Sequence, residues 1–242
     1  MVVVGGLTSD EFARTQTYLA YARALLADMG LRLSVHNDFD AWRKLLEDAP
    51  GTHPLSKTLS PRYNCIREDE GFWLSFDTAD GTKIACAGSR VLVSESDFVK
   101  QWITTQRLFG NRRVPVDSKP IKFIAEPPAL TGRIGFAGGA WVHPDWRRRK
   151  LTNLSSRLGR VIGLFFLDCD YHTAFIQERR TRWLEEALGW KHHVYCMSGH
   201  HPGREGEFEA EVNFCWMSAA EILELCDQEC PLIHEERRRK IA

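Results

Sequence analysis

Net charge is what this 242-residue chain has least of: 32 Lys and Arg are matched by 32 Asp and Glu. Without a global field nothing draws a polyanion to the whole surface, so only local patches can do so. Long hydrophobic runs are also missing. The stretch Val161-Ile-Gly-Leu-Phe-Phe-Leu167 falls far short of the ~20 residues of a membrane span, and no membrane partner is expected. The start, Met1-Val-Val-Val-Gly-Gly6, lacks the basic residues and the length of a secretory signal. Seven cysteines, an odd number at irregular positions, do not make a disulfide framework. These absences together predict a cytoplasmic, reduced protein. No internal repeat or clear domain boundary is visible, so residues 1–242 are read as a single domain.

What is present points to a folded core: 43% hydrophobic residues, eight Trp and thirteen Phe. Residues 10–28 carry Phe12, Leu19, Leu26 and Met29 at roughly helical intervals, with Gly30 as a stop. Leu31 to His36 alternates like a strand, and Asp38 and Asp40 offer caps for a short helix through Trp42, Leu45 and Leu46. The segment 49–64, rich in Pro, Ser and Thr, is expected to be irregular. A hairpin follows, Gly71–Phe76 and Lys83–Val93, with Asp80-Gly81 as its turn. Residues 95–131 interrupt the strands. Phe98, Trp102, Thr105 and Phe109 predict one helix face there, and Ile121–Ile124 a short strand. Tyr171–Ile176 reads as a buried strand, Trp183–Leu188 as a short helix closed by Gly189, and 191–197 with 209–216 as a last hairpin. A helix from Ser218 to Asp227 and a charged tail end the chain. The fold class is therefore α/β, with a mixed, mostly antiparallel sheet flanked by helices.

The stretch 136–152 is the most informative. Gly138, Ala140 and Val142 alternate on one predicted strand face, and Pro144 should end that strand. From Leu151 the period changes: Leu151, Leu154, Leu158, Ile162 and Phe165 form the apolar stripe of a helix. Between them lie Arg147, Arg148, Arg149 and Lys150. Such a junction is either a solvated surface turn or a place where backbone amides, the helix dipole and the cations hold a phosphate.

The order of elements over about residues 31–220 resembles the GNAT superfamily of N-acyltransferases. Val142-His-Pro-Asp-Trp-Arg147 is similar to that family's strand end before its acyl-CoA loop. Trp183-Leu-Glu-Glu-Ala-Leu-Gly-Trp190 is similar to its short helix with a Gly–aromatic ending. The resemblance implies an acetyl or longer acyl group passed from acyl-CoA, as cosubstrate, to an amine on a small molecule or a protein. It also implies that Ala140 and Val142 pair with the pantetheine arm, and that the loop through Arg147, Arg148, Arg149, Lys150, Leu151 and Thr152 holds the pyrophosphate. Two departures stand out. Lys150 and Thr152 occupy places where the family favours Gly and Gly or Ala, and Glu185 stands where a Tyr often protonates the leaving thiolate. Glu178 takes the place of a frequent Asn.

Acyl transfer to an amine needs a polarised carbonyl, a base and a proton for the thiolate. Amides near Trp141–His143 are candidates for polarisation. His143 is a candidate base against a plain surface role, and Glu185 a candidate acid against a solvated helix face. No metal is expected: His192, His193, Cys196, His200 and His201 fit no standard ligand spacing, and strand alternation parts His192 from His193. A CoA- or partner-binding module without turnover is the alternative function. A protein that grips nucleic-acid phosphates through Arg147–Lys150 is a third, and nucleic acid is not the expected partner. The helix in 95–131 is expected to wall the acceptor or acyl pocket or to form a homodimer contact.

Overall fold

The computed structural model describes residues 6–53, 55–105, 107–109, 121–177, 184–198 and 210–230. Helix α1 (Ser9–Asp28) starts at Thr8, whose hydroxyl accepts from the Glu11 amide while the Glu11 carboxylate receives the Thr8 amide. This capping box satisfies two amides that a helix start otherwise leaves open. Strand β1 (Arg32–His36) leads to α2 (Phe39–Asp48), capped by Asp38 through the Ala41 amide. Strands β2 (Gly71–Asp77) and β3 (Lys83–Ser94) form the expected hairpin, with Gly81 at φ +85° in its turn. After the short β4 (Lys122–Phe123) come β5 (Gly132–Val142), α3 (Leu151–Phe166), β6 (Tyr171–Gln177), β7 (His192–Ser198), β8 (Ala210–Ser218) and α4 (Ala219–Glu229).

One eight-stranded sheet runs β1-β2-β3-β5-β6-β8-β7-β4. Every neighbouring pair is antiparallel except β5–β6, which is parallel. A parallel pair needs a crossover, and α3 supplies it. The expected mixed, mostly antiparallel sheet flanked by helices is what forms.

Side-chain alternation gives the sheet two apolar faces. The back face, with Phe72, Leu74, Ala85 and Met217, packs under α1, α3 and α4. The front face is covered in two separate patches. One joins α2 to Trp73, Cys86 and Trp141, and the other joins Phe98, Ile103 and Leu130 to Phe136 and Phe214.

Two sequence expectations need correction. The segment after Phe98 is not one α-helix: Val99–Thr104 is a π-type turn and Arg107–Phe109 a separate 3-10 turn. A wider turn moves the inward face to Phe98, Val99 and Ile103, leaving Thr105 exposed. Nor do Gly138 and Val142 share a sheet face. Between the pairs Cys86↔Trp141 and Gly88↔Gly138 the chain of β5 holds one extra residue, and Gly139 there has φ +62°. A Cβ on Gly138 or Gly139 would meet Leu59, Leu55 or Trp42 on the front, whereas Val142 lies in the back core. This is a β-bulge on a left-handed glycine, and it flips the strand's facing.

Candidate functional site

Strands β5 and β6 pair only from Ile134↔Tyr171 to Ala137↔Ala174. Beyond that point β6 stays with β8 as far as Gln177↔Val212, and β5 stays with β3 as far as Ala85↔Val142. The two strands therefore part, and residues 138–142 and 175–177 border a splay with no strand between them among the described residues. The bulge sits on the β5 edge of this opening. The His143 amide bonds to the Ile84 carbonyl at 2.7 Å, and the Trp141 amide faces the Cys86 thiol. Strand backbone directions alternate, so the Val142 amide between them points the other way, into the splay.

The chain then turns tightly. Pro144 opens a 3-10 turn, Pro144–Trp146, and His143 caps it: its Nδ1 accepts from the Asp145 amide at 3.3 Å. Arg147 folds back onto the strand end, donating to the carbonyls of Val142 (3.3 Å) and Gly51 (3.4 Å). The Arg149 guanidinium lies 4.5 Å over the Trp146 ring. Arg148 and Lys150 have left-handed backbones, φ 67° and 60°. For a residue with a Cβ that conformation costs roughly 1–2 kcal/mol, so the chain adopts at Lys150 the shape a glycine would take freely.

Helix α3 begins directly after Lys150, with no side chain capping it. Its first turn is closed by the Asn153 and Leu154 amides, which both donate to the Lys150 carbonyl. Arg147 and Arg148 are the central residues of a turn that aims the Arg149 amide back at the Trp146 carbonyl, while the amides of Arg148, Lys150, Leu151 and Thr152 make no hydrogen bond among the described residues. Four open donors, two left-handed residues and the positive end of a 16-residue helix make a concave anion receptor. Leu151, 2% exposed, fixes it to the core, while Arg148, Arg149 and Lys150 are exposed around it.

Glu185 lies in a helical turn, residues 184–188, and is exposed, as is Glu186. The expected Gly189 stop is there: Gly189 has φ +68°, its amide bonds to the Glu185 carbonyl and the Trp190 amide to that of Leu184. The bond from the left-handed Gly189 to the carbonyl four residues back is the αL type of helix end. Two arginines of α3 hold it. Arg157 donates to the carbonyls of Glu186 and Ala187, and buried Arg160 to those of Leu188 and Gly189. Glu178, Trp183, His200, His201 and the 231–242 tail lie outside the described residues. Of the other His and Cys residues weighed as metal ligands, His192 stacks on Trp216 and pairs with Glu221 at 2.6 Å. Among the described residues no group of three or more His, Cys, Asp or Glu is placed to hold a metal.

The sequence reading does not single out Arg90 or Arg160, both buried. The signal for Arg90 is legible afterwards: it is the only charge in the ten residues Ile84–Val93.

No protein-family model and no curated protein matches the chain. Solved structures that resemble it are GNAT acetyltransferases. Arabidopsis thaliana NAA60 in complex with acetyl-CoA is 6% identical, with TM-score 0.46, covering 78% of this chain and 99% of that one. Mutant forms of the spermidine/spermine N-acetyltransferase SpeG from Vibrio cholerae are 8% identical, with TM-score 0.45, covering 81% and 98%. A GNAT-family acetyltransferase from Streptococcus pneumoniae is 9% identical, with TM-score 0.44, covering 77% and 99%. At this distance no residue's role carries across, and the site rests on this chain's own geometry.

Proposed function

We propose that this chain is an N-acyltransferase that binds an acyl-CoA along the β5 edge of the splay and passes its acyl group to an amine. The observation that carries this is the join between the splay and the open amides within 148–152. An extended arm can lie in the first while its pyrophosphate sits on the second. The Val142 amide then has one task, donating to the thioester oxygen as charge develops there. Nitrogen–carbon bond formation accompanies carbon–sulfur cleavage, the amine gives up a proton and the thiolate gains one. Ala140, exposed on the same strand edge, offers room beside the arm. Because Arg147 is spent on backbone carbonyls, its work is to hold the loop's shape, and Arg148, Arg149 and Lys150 supply the field.

A second reading, a CoA-binding module without turnover, is favoured by the state of the acid–base candidates. His143 Nδ1 already accepts the Asp145 amide, and Glu185 is exposed on the outside of its turn. Neither is a strong proton carrier, so proximity and the Val142 amide would supply most of any rate. Thiol release from acetyl-CoA, followed across a panel of amines, separates the two readings. Release with at least one amine supports the transferase, and none with CoA binding intact leaves the binding module.

A further inference from the structure

Arg90 projects from β3 onto the front face, between Gly88 beside Trp42 in one apolar patch and Leu92 in the other. It is 8% exposed. Its Nη1 donates to the Thr58 carbonyl at 2.9 Å, and its guanidinium makes no other hydrogen bond or ion pair among the described residues. Nε is shielded and has no acceptor. Glu70 favours the charge from a distance, but both its oxygens are engaged by Arg67, at 3.1 Å and 3.0 Å. Burial pulls the Arg90 pKa down to about 10, which still leaves a cation at neutral pH. A buried cation with so few acceptors costs stability unless an anion completes it.

A second open polar group lies nearby. Ser56 Oγ is buried without a partner, 4.0 Å from where a Cβ on Gly138 would stand. Gly138 faces Gly88 across β3–β5 and is the first β5 residue beyond the parallel pairing. The far side of this patch is aromatic: Phe136 and Phe175 lie 5.9 Å apart, and Phe175 and Phe214 5.5 Å. Arg90 stands opposite Phe136 in the β3–β5 register, one same-face pair before Gly88 and Gly138, so the cation and the aromatic wall adjoin the glycines and the hydroxyl where the splay opens.

We infer that Arg90 receives the carboxylate of the acceptor, so that the acceptor is an amino acid with an apolar side chain rather than a simple amine or polyamine. This rests on the acyl-transfer reading of the splay. The carboxylate takes the open guanidinium donors, the side chain lies against Phe136 and Phe175, and the amine is left beside Gly138–Ala140, at the edge where the thioester would lie.

The test compares L-phenylalanine with L-phenylalaninamide and 2-phenylethylamine by calorimetry, without CoA, with CoA itself titrated separately. The acid should bind about ten-fold or more tightly than either analogue, as expected for charge-assisted hydrogen bonds from a desolvated arginine. Arg90→Met should erase that preference while the thermal midpoint stays unchanged or rises, because an isosteric apolar group replaces an uncompensated charge. Should the Met variant fail to fold, Arg90→Lys decides: it keeps the charge, loses the fork, and should cut the acid-to-amide ratio several-fold. Equal binding of acid and amide by the wild type, no binding of the acid, or an unchanged ratio in the Lys variant would overturn the assignment. Failure of CoA to bind, with the acid still preferred, would instead overturn the transferase reading and leave Arg90 as a carboxylate site without an acceptor role.

Discussion

Arg160 and Arg90 are both buried guanidinium groups whose pKa is pulled down to about 10 by desolvation, yet their surroundings are opposite in kind. Arg160, on the back of the sheet, donates to Ser156 Oγ (3.1 Å) and the carbonyls of Leu188 (2.5 Å) and Gly189 (3.4 Å), and lies 4.5 Å from the Trp190 ring; its Nε, like that of Arg90, has no acceptor. Its charge meets the negative end of a helical turn, a compensation the fold itself provides. Arg90 has one carbonyl. The same fold that satisfies a structural cation leaves donors open at Arg90 and at residues 148–152, and both places border the β5–β6 splay. Several unmatched donors gathered beside an opening mark where something anionic belongs.

The largest effect should come from breaking the satisfied side. Arg160→Ala would orphan two buried carbonyls and open a void under Trp190, costing about 3 kcal/mol. Urea unfolding measures it, and an unchanged midpoint, as expected of Arg90→Met, would erase the contrast between the two arginines.

His172 tests the same buried layer by titration. It sits between Gly135 and Gly163, where an added Cβ would come within 2.6 Å and 2.8 Å of its ring. Its Nε2 is 3.2 Å from Ser89 Oγ, and Nδ1 has no partner. Burial first, and then the Arg160 charge, lower its pKa from 6.5 to about 3. Because the folded value is depressed, the unfolded chain takes up the proton first. The neutral ring's contribution is complete above pH 6.5 and is lost as pH falls towards 3, with about 2 kcal/mol gone by pH 5. Urea midpoints at pH 7 and pH 5 should differ less in His172→Gln than in the wild type. An identical difference would show that other groups carry the acid sensitivity.

The sequence made the outline of this fold legible because its signals are local. Pro144, the Asp38 cap, Asp80-Gly81 and the Gly189 stop each act within a turn, and each appears where the residues put it. The bulge at Gly139 was hidden because it depends on registration with β3, which no period along β5 reveals. The π-type turn at Val99–Thr104 was hidden for a related reason, since its wider spacing imitates a helix in a short window. In the site, the cations of the loop were legible. That Arg147 is consumed by backbone carbonyls, and that Val142 alone of its three neighbours turns its amide to the splay, follow only from tertiary contacts. Arg90 needed the partner strands to show that its side of β3 is covered.

Smaller effects sharpen the account of the open side. Lys150→Gly removes the left-handed strain at the start of α3 and should raise stability by about 1 kcal/mol, read as a higher urea midpoint. Its CoA affinity should fall by no more than a few-fold, because amides rather than this side chain hold the pyrophosphate. A large loss would move the weight onto the cations. Smaller still, Glu185→Gln should lower kcat by only a few-fold, whereas loss of a true general acid costs roughly a hundred-fold or more. Stopped-time thiol assays at saturating acetyl-CoA distinguish these outcomes.

The central claim is that the open amides of 148–152 hold the pyrophosphate of CoA, and calorimetric titration of CoA into the wild type and Thr152→Glu tests it most directly. A carboxylate at the second residue of α3 would stand against the bound anion and should weaken binding by about ten-fold or more. Equal affinity in the two proteins, or no CoA binding by the wild type, would contradict the account.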